Sequence, residues 1–440
     1  MASSAVPNAA KYVEFLRNID PIRINGKVTQ VIGLTIESEG PEAGVGDVCH
    51  IYAAKSAKPV KAEVVGFRDN RVILMPLGEL QKIGPGSEVV STGRPLAAKV
   101  GFELLGKVLD GLGEPLDGSV LPAKMTEYST TNSPGNPLKR PRVLEPISTG
   151  IRCIDGLLTV GSGQRIGIFA GSGVGKSTLL GMVARNTSAD VNVIALIGER
   201  SREVLEFIER DLGPEGLKRS VVVVATSDQP ALIRIKGALI ATAIAEFFRD
   251  RGLNVMLMMD SLTRYAMAMR EVGLAVGEPP ATRGYPPSVF ASLPKLLERA
   301  GTAAKGSITA FYTVLVDGDD MNEPIADAVR GILDGHIVLD RNLANKGHYP
   351  AIDVLGSVSR VMNDIITEDH LQAAEKLKRI LAVYRDAEDL INIGAYQTGS
   401  NPEIDEAISR IGEIRAYLRQ GVAEKIDFAE ARSRLVEMFA

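Results

Sequence analysis

The stretch RIGIFAGSGVGKSTLLG, residues 165–181, decides the fold of this chain. It runs from a short apolar segment through a glycine-rich turn into a helical pattern that starts near Lys176. Glycines at alternate positions allow successive backbone amides to point at one anion, and the amino end of a helix adds a partial positive charge. A turn of this kind between a strand and a helix binds nucleotide phosphates, so a turn without a ligand is the weaker interpretation.

The turn predicts which residues hold the phosphates and the metal. Lys176 is expected to reach the β- and γ-phosphates, and the Ser177 hydroxyl is expected to coordinate Mg²⁺. Ala170 stands where the usual pattern has its first glycine, but it falls at the end of the strand, where a small residue suffices. The predicted nucleotide-binding residues of the turn are Gly171, Ser172, Gly173, Val174, Gly175, Lys176, Ser177 and Thr178.

Two carboxylates follow other apolar runs and predict catalytic groups. Asp260 ends the run VMLMMD, a placement that suits a carboxylate meeting Mg²⁺, usually through water. Glu199 follows the run ALIG and is expected to orient the attacking water. Arg200 either contacts the γ-phosphate or pairs with Glu203, and the sequence leaves both interpretations open. Arg264 is a weaker candidate for the same phosphate contact.

The composition of the 440 residues is that of a soluble protein with two or three domains. The net charge of −4 gives no overall basic field, so nucleic acid is not an expected partner. Cys49 and Cys153 are too few for a disulfide framework, which favours a reducing, cytoplasmic compartment. The first residues lack a signal-peptide pattern, and charged residues within the apolar stretch 233–248 predict a buried helix rather than a membrane span.

An amphipathic helix is predicted for residues 1–20. A helix this short is marginal alone, so it is expected to dock either on its own chain or on a partner protein. Its apolar stripe consists of Tyr12, Phe15, Leu16 and Ile19.

The remaining chain divides into three predicted domains. Residues 21–95 contain short β-rich runs between turns, which predict a small antiparallel barrel. Residues 96–366 alternate apolar runs with helical segments, which predicts an α/β domain with a mostly parallel sheet. Within that domain, residues 106–150 are interpreted as a loop-rich connection. Residues 367–440 predict a helical domain, with helical periodicity in two runs, 371–391 and 402–421. In its second helix the apolar face consists of Ile404, Ile408, Ile411, Ile414 and Leu418.

Several long motifs extend beyond the phosphate loop. They are IGERSREV, MDSLTRYAMAMREV, GEPPATRGYPPSVFASLPKLLERAG, GDDMNEPIADAVRGILDGHIVLDR and GHYPAIDVLGSVSRVM. Together with the loop, they resemble the catalytic subunits of the rotary ATPase superfamily, and more narrowly the ATPases of flagellar type III protein export. The resemblance covers essentially the whole chain, and it implies a six-stranded barrel, a central RecA-like P-loop domain and a C-terminal helical domain.

The resemblance also implies roles for single residues. Tyr349 in GHYP matches the tyrosine that stacks on adenine, and Arg360 in SVSR matches an arginine finger presented to the neighbouring subunit's nucleotide. Glu199 matches a glutamate that noncatalytic subunits lack, which implies hydrolysis of ATP with Mg²⁺. The expected catalytic set is therefore Glu199, Lys176, Arg360 and Arg200. A finger that acts in trans implies a homohexamer, with a monomer in dilute solution left open.

Partners and location follow from the same resemblance. It implies a stator-like regulatory protein at the N-terminal helix, a central stalk protein, an export gate, and export chaperones and substrates. The implied location is cytoplasmic, at the cytoplasmic face of the inner membrane when assembled, and peripheral membrane association is left open.

Three alternative functions compete with flagellar export. They are the ATPase of a virulence-type injection apparatus, an RNA-translocating hexamer of the transcription terminator type, and a nucleotide-holding structural subunit. The first shares every catalytic motif. Few aromatic residues before residue 100 argue against RNA translocation, and Glu199 argues against a purely structural role.

Overall fold

The computed structural model describes residues 24–440 except 54–57, 81, 317 and 319. Contacts divide the chain into two compact units, with the division between Leu96 and Ala97. The predicted N-terminal helix, with its apolar stripe, lies outside the described residues.

Six antiparallel strands form the first unit. Their bounds are β1 Gly26–Ile32, β2 Thr35–Glu39, β3 Asp47–Tyr52, β4 Val60–Arg68, β5 Arg71–Pro76 and β6 Glu88–Pro95. They close a barrel in the order β1, β2, β5, β4, β3, β6. Side chains that alternate along the strands fill the interior, among them the fully buried Ile36, Ile51 and Leu74. The predicted barrel is confirmed.

A nine-stranded sheet forms the centre of the second unit. Its strands are β8 Val108–Asp110, β10 Arg165–Ala170, β11 Val191–Ile197, β12 Ser220–Ala225, β13 Asn254–Asp260, β14 Gly301–Thr302, β15 Ser307–Leu315, β16 Gly335–Leu339 and β17 Ile352–Ser359. The order is β17, β16, β10, β15, β13, β11, β12, β8, with β14 beside β15. Only β14 and β17 pair antiparallel to their neighbours. Every residue of β12 is buried, as expected for a strand covered on both faces, and the predicted mostly parallel sheet is confirmed.

The segment 106–150 holds more structure than the predicted loop-rich connection. It contributes β8 to the edge of the main sheet, next to β12. It also contributes β9, Thr126–Ser129, which pairs with β7, Ala97–Val100. Strands of three or four residues are too short to show an alternating pattern, which is why the sequence does not reveal them.

The helices of the described residues all lie in the second unit. They are α1 Arg152–Leu157, α2 Lys176–Asn186, α3 Ser201–Glu206, α4 Gly213–Lys218, α5 Ala231–Arg249, α6 Leu262–Val276, α7 Pro287–Leu297, α8 Pro324–Ile332, α9 Arg341–Asn345, α10 Met362–Ile365, α11 Glu368–Asn392, α12 Pro402–Leu418 and α13 Phe428–Glu437. A π-helical turn, Phe207–Leu212, joins α3 to α4. Within the described part of the chain, no helix combines the length and apolar character needed to cross a bilayer.

Three helices make up the C-terminal region. The sequence predicts α11 and α12 close to their observed bounds but does not predict α13. The predicted apolar face of α12 is only partly used by the core. Ile414 and Leu418 are buried, whereas Ile408 is 37% exposed. The fold therefore buries the carboxyl-terminal half of that face.

A buried ion pair joins α5 to the segment that follows α7. Arg299 Nε and Nη2 donate to the two carboxylate oxygens of Glu246, each at 2.8 Å, and the two side chains are only 2% and 3% exposed. Arg299 Nη1 also donates to the Thr130 carbonyl, and Asn132 Nδ2 donates to Glu246. A pair of charges in the interior needs such direct partners because water does not reach it.

Replacing Arg299 by Met leaves the Glu246 carboxylate buried without its cation. We expect the free energy of unfolding to fall by about 3–5 kcal/mol. Urea denaturation followed by circular dichroism measures the loss. Lys218→Met is the control, because it breaks an exposed ion pair with Glu215 and should cost less than about 1 kcal/mol. Similar losses in the two variants would contradict the role given to the buried pair.

Candidate nucleotide-binding site

The predicted phosphate loop connects β10 to α2 at the carboxyl edge of the parallel sheet. Gly173 and Gly175 have φ angles of 79° and 91°, in the left-handed region that favours glycine. Gly175 is also the N-cap residue of α2, directly before Lys176, and the first amides of a helix have no partner inside it. Ser172 is exposed and Val174 is buried. The loop thus joins a turned backbone to a helix terminus, which is the arrangement that binds an anion.

Lys176 brings two carboxylates together at this edge. Its Nζ lies 2.5 Å from Asp260 Oδ1 and 3.5 Å from Glu199 Oε1. Asp260 ends β13 and Glu199 follows β11, so two neighbouring parallel strands deliver the pair. Thr313 of β15 donates its hydroxyl to Asp260 Oδ1 at 2.7 Å. Three residues predicted from separate motifs therefore form one cluster.

The cluster shifts the proton affinity of its members. Burial raises the pKa of the Glu199 carboxyl, the charge of Asp260 raises it further, and Lys176 only partly opposes them, so that the pKa is about 7. Burial alone would lower the pKa of Lys176, but Asp260 and Glu199 outweigh it and the pKa is raised. Lys176 therefore stays an ammonium, whereas Glu199 is poised to take up a proton near neutral pH.

Ser177 and Asp260 are the predicted magnesium ligands. Ser177 lies half-buried in the first turn of α2, next in sequence to the lysine that contacts Asp260. One hydroxyl and one carboxylate, completed by phosphate oxygens and water, form a donor set typical of nucleotide-bound Mg²⁺. Among the described residues, no group of three or more His, Cys, Asp and Glu side chains could hold a metal ion. The residues present fit a magnesium ion that is held partly by the nucleotide.

A cavity of about 320 Å³ adjoins the phosphate loop. The ring of Tyr349 lies close to Gly175, since a Cβ built on this glycine would lie 3.5 Å from Tyr349 Cε1. The other walls are mostly apolar. They are formed by Leu179, Met182, Leu339, Pro350, Ala351, Gln420 and Val422. A cavity of this size, with an aromatic face beside a phosphate loop, can hold a nucleotide base by stacking.

The two remaining candidate arginines lie differently. Arg200 Nη1 is 3.2 Å from Glu203 Oε1 and its side chain is 78% exposed, so the ion pair left open by the sequence is the observed contact. The side chain of Arg264 packs beside Gly198, and its Nη1 contacts the Met267 sulfur. The Arg264 Nε is buried without a hydrogen-bond partner among the described residues.

Arg360 lies at the opposite edge of the sheet from the phosphate loop. It follows β17, which runs antiparallel to β16, and its backbone N–H donates to the Asp334 carbonyl just before β16. The Asp334 side chain bonds Arg165, the first residue of β10. The length of β10, roughly 17 Å at 3.3 Å per residue, separates this edge from the loop. The exposed Arg360 side chain is therefore remote from the phosphate loop of its own chain.

Sequence reasoning missed several residues of the site, among them Thr313, Gln420 and Val422. Thr313 sits in the apolar run ITAFYTVLV, where one hydroxyl near the carboxyl end was the only signal. Gln420 and Val422 follow α12 and belong to no motif. Because the chain returns to the cavity about 240 residues after the phosphate loop, only the fold reveals that the C-terminal region contributes a wall.

Family models match three parts of the chain. Residues 28–93 match the beta-barrel domain of the ATP synthase alpha/beta family, and residues 150–359 match its nucleotide-binding domain. Residues 366–437 match the C-terminal domain of the T3SS EscN ATPase. The chain belongs to the ATP synthase alpha/beta family.

The individual relatives include a flagellum-specific ATP synthase and ATPases of type III secretion systems. The flagellum-specific ATP synthase of Bacillus subtilis is 61% identical over 97% of this chain and 98% of its own. The type 3 secretion system ATPase of Xanthomonas euvesicatoria is 55% identical over 90% of this chain and 89% of its own. The assembled ATPase EscN of enteropathogenic E. coli, solved in complex with its central stalk EscO, is 47% identical with a TM-score of 0.87 over 94% of this chain and 100% of that chain.

The raised pKa of Glu199 predicts a pH dependence for hydrolysis. The predicted role of Glu199, to orient the attacking water, requires a carboxylate, and with a pKa of about 7 the group becomes protonated as the pH falls through neutrality. We expect kcat/KM, which reports the free enzyme, to fall about tenfold per pH unit below about pH 7. Initial rates at low ATP between pH 5.5 and 8.5 measure this. A kcat/KM that stays flat down to pH 5.5 would show that no group with this pKa controls the reaction.

Proposed function

We propose that this chain hydrolyses ATP to energise protein export through a flagellar type III secretion apparatus. The observation that carries the proposal is the cluster of Lys176, Asp260 and Glu199 beside a glycine-rich phosphate loop. In this cluster the cation can bind the phosphates, one carboxylate can help to hold the metal, and the other carboxylate can orient the water. The family, which includes ATPases at 55% and 61% identity, supports the same chemistry.

Each residue of the site has a separate role in the proposed reaction. The loop backbone and Lys176 hold the β- and γ-phosphates, and the Tyr349 ring accepts the base. Ser177 and Asp260 would hold a magnesium ion, which would supply positive charge next to the phosphate oxygens. Glu199 orients a water molecule and accepts its proton as the oxygen attacks the γ-phosphorus. The bond from that phosphorus to the bridging oxygen breaks, and ADP and phosphate leave.

Arg360 completes the site of a neighbouring subunit in this proposal. Its position at the far edge of the sheet separates it from its own phosphate loop, so it can serve a nucleotide only on another copy of the chain. An arginine finger of this kind stabilises charge in the transition state and is worth about 10³–10⁵ in rate. The proposed assembly is a homohexamer, and the relative EscN has been solved in assembled form.

The relatives support the proposed biological setting. Several proteins similar to this chain are named flagellum-specific ATP synthases, and EscN binds a central stalk, so we propose a comparable stalk protein here. We further propose a stator-like partner at the N-terminal helix, an export gate, and chaperones and substrates of export. The proposed location is the cytoplasm, at the cytoplasmic face of the inner membrane when assembled. The second candidate is a virulence-type injection apparatus, which the Xanthomonas relative favours.

Hydrolysis in trans predicts complementation between two inactive variants. Glu199→Gln and Arg360→Ala should each retain nucleotide binding and lose at least about 10³-fold in kcat. Mixed in equal amounts, they should regain turnover, because an intact Glu199 can meet an intact Arg360 across some interfaces. Steady-state phosphate release against total protein concentration measures this, and the native rate per subunit should rise steeply with concentration.

The matched control is Arg434→Ala, which removes an exposed arginine paired with Glu430 on α13 and should leave kcat unchanged. Turnover that survives Arg360→Ala, or a mixture no more active than its parts, would mean that each chain hydrolyses ATP alone.

Flagellar and injection roles predict different rescues. We expect the chain to restore swimming to a Bacillus subtilis strain that lacks its flagellum-specific ATP synthase, and the Glu199→Gln variant not to restore it. Swimming radius in soft agar measures the outcome. No rescue of swimming, together with restored secretion in a Xanthomonas strain that lacks its type 3 secretion ATPase, would establish the second candidate instead.

A further inference from the structure

A short loop that follows α12 in the sequence forms one wall of the cavity in which the base is proposed to lie. We call residues 420–424 the wall segment. It connects α12 to the stretch before α13, and two of its residues, Gln420 and Val422, line the cavity beside Tyr349. No motif of the phosphate site includes this segment.

The side chain of Gln420 is buried and fully bonded to the protein. Its Oε1 accepts the Arg152 backbone N–H at 2.7 Å. Its Nε2 donates to the carbonyls of Gly150 at 2.8 Å and Glu424 at 3.2 Å. The residue is 5% exposed, so these bonds replace water that would otherwise solvate the amide. The amide therefore fastens the wall segment to the turn that begins α1.

Two further contacts fasten the same segment. Arg185, in the last turn of the helix that starts at the phosphate loop, donates to the Val422 carbonyl at 2.9 Å. The Glu424 carboxylate pairs with Arg152 and also accepts the Gly421 N–H. Arg152 in turn donates to carbonyls at the end of α12. The wall segment is thus tied both to the nucleotide-binding core and to the C-terminal helices.

Gln420 also forms a hydrogen bond to Tyr349, which lies in the opposite wall of the cavity. Its backbone N–H donates to the Tyr349 carbonyl at 3.0 Å. Tyr349 is 46% exposed and its ring lies close to Gly175, so neighbouring groups leave nearly half of the residue uncovered. The placement of the ring relative to the loop therefore depends on where the wall segment sits.

The geometry points to Gln420 as a positioning residue for the nucleotide base. It sets the width of the base cavity by bonding Gly150 and Arg152 through its amide and Tyr349 through its backbone. A base that fills the cavity would press the wall segment onto these partners. This inference rests on the proposed function, because it takes the cavity to be the base site.

A residue that acts on the base and not on the phosphates affects binding in the ground state and the transition state alike. Its loss raises KM and leaves kcat nearly unchanged. A residue with a purely structural role would instead lower thermal stability without moving KM. The different effects on KM and on thermal stability therefore distinguish a positioning role from a purely structural role.

The first test is Gln420→Met, which keeps the size of the side chain and removes its three bonds. We expect KM for ATP to rise about tenfold with kcat within about twofold of the native value. Gln372→Met is the matched control, since Gln372 is an exposed glutamine that bonds only Glu368 among the contacts described, and neither constant should change. An unchanged KM in Gln420→Met would overturn the inference.

The second test needs no variant. Hydrogen exchange of the full native chain, followed by mass spectrometry, is compared with and without ADP and Mg²⁺. We expect exchange of the amides at residues 420–424 to slow at least about threefold with ADP. Unchanged exchange there, alongside protection of the phosphate loop, would overturn the inference while leaving the proposed function intact. A native chain that binds ADP but releases no phosphate from ATP would instead refute the proposed function.

Discussion

The ammonium group of Lys176 lies between two carboxylates, and this arrangement constrains how the central sheet is built. Asp260 and Glu199 are too deeply buried to be charged side by side without a counter-ion, and Lys176 supplies it at 2.5 and 3.5 Å. To bring these groups together, β10, β11 and β13 must end at the same edge of one parallel sheet. That requirement explains the near-continuous apolar strands, because a sheet with helices on both faces has no polar side. In the proposed reaction, phosphate oxygens would take the place of carboxylate contacts that Lys176 makes in this structure.

The sequence predicted the parts of the fold whose local pattern is strong. The barrel, the central strands and the helices α11 and α12 follow from periodicity, and the phosphate loop follows from its glycines, two of which adopt left-handed φ angles. Asp260 and Glu199 were predictable because each ends a recognisable apolar strand. Tyr349 and Arg360 came from resemblance alone, since a single tyrosine or arginine outside its motif predicts nothing.

The missed features depend on contacts between distant segments. Thr313 matters only because β15 lies between β10 and β13 in the sheet, an order that no local pattern encodes. Gln420 becomes part of the cavity only when the C-terminal region folds back. Arg140 donates to the carbonyls of Glu298 and Ala300, about 160 residues further along the chain, a contact that no local pattern indicates. The bounds of the predicted domains stay predictions, whereas the contacts join the C-terminal helices and the central sheet into one compact unit.

Because β17 runs antiparallel to β16, the residues on its two sides lie at opposite edges of the sheet. Tyr349 precedes this strand at the carboxyl edge of the sheet, and Arg360 follows it at the amino edge. The ladder pairs Ile352 with Leu339 and Ser359 with Gly335, so β17 spans only the length of the five residues of β16, roughly 13 Å, and its extra residues form a bulge between Asp353 and Val358. In the proposed ring, one strand would then face two nucleotides, stacking on the base in its own subunit and neutralising the phosphate charge of the next. The paired ends of β17 would then act as a spacer between successive nucleotides, held by the ladder to β16.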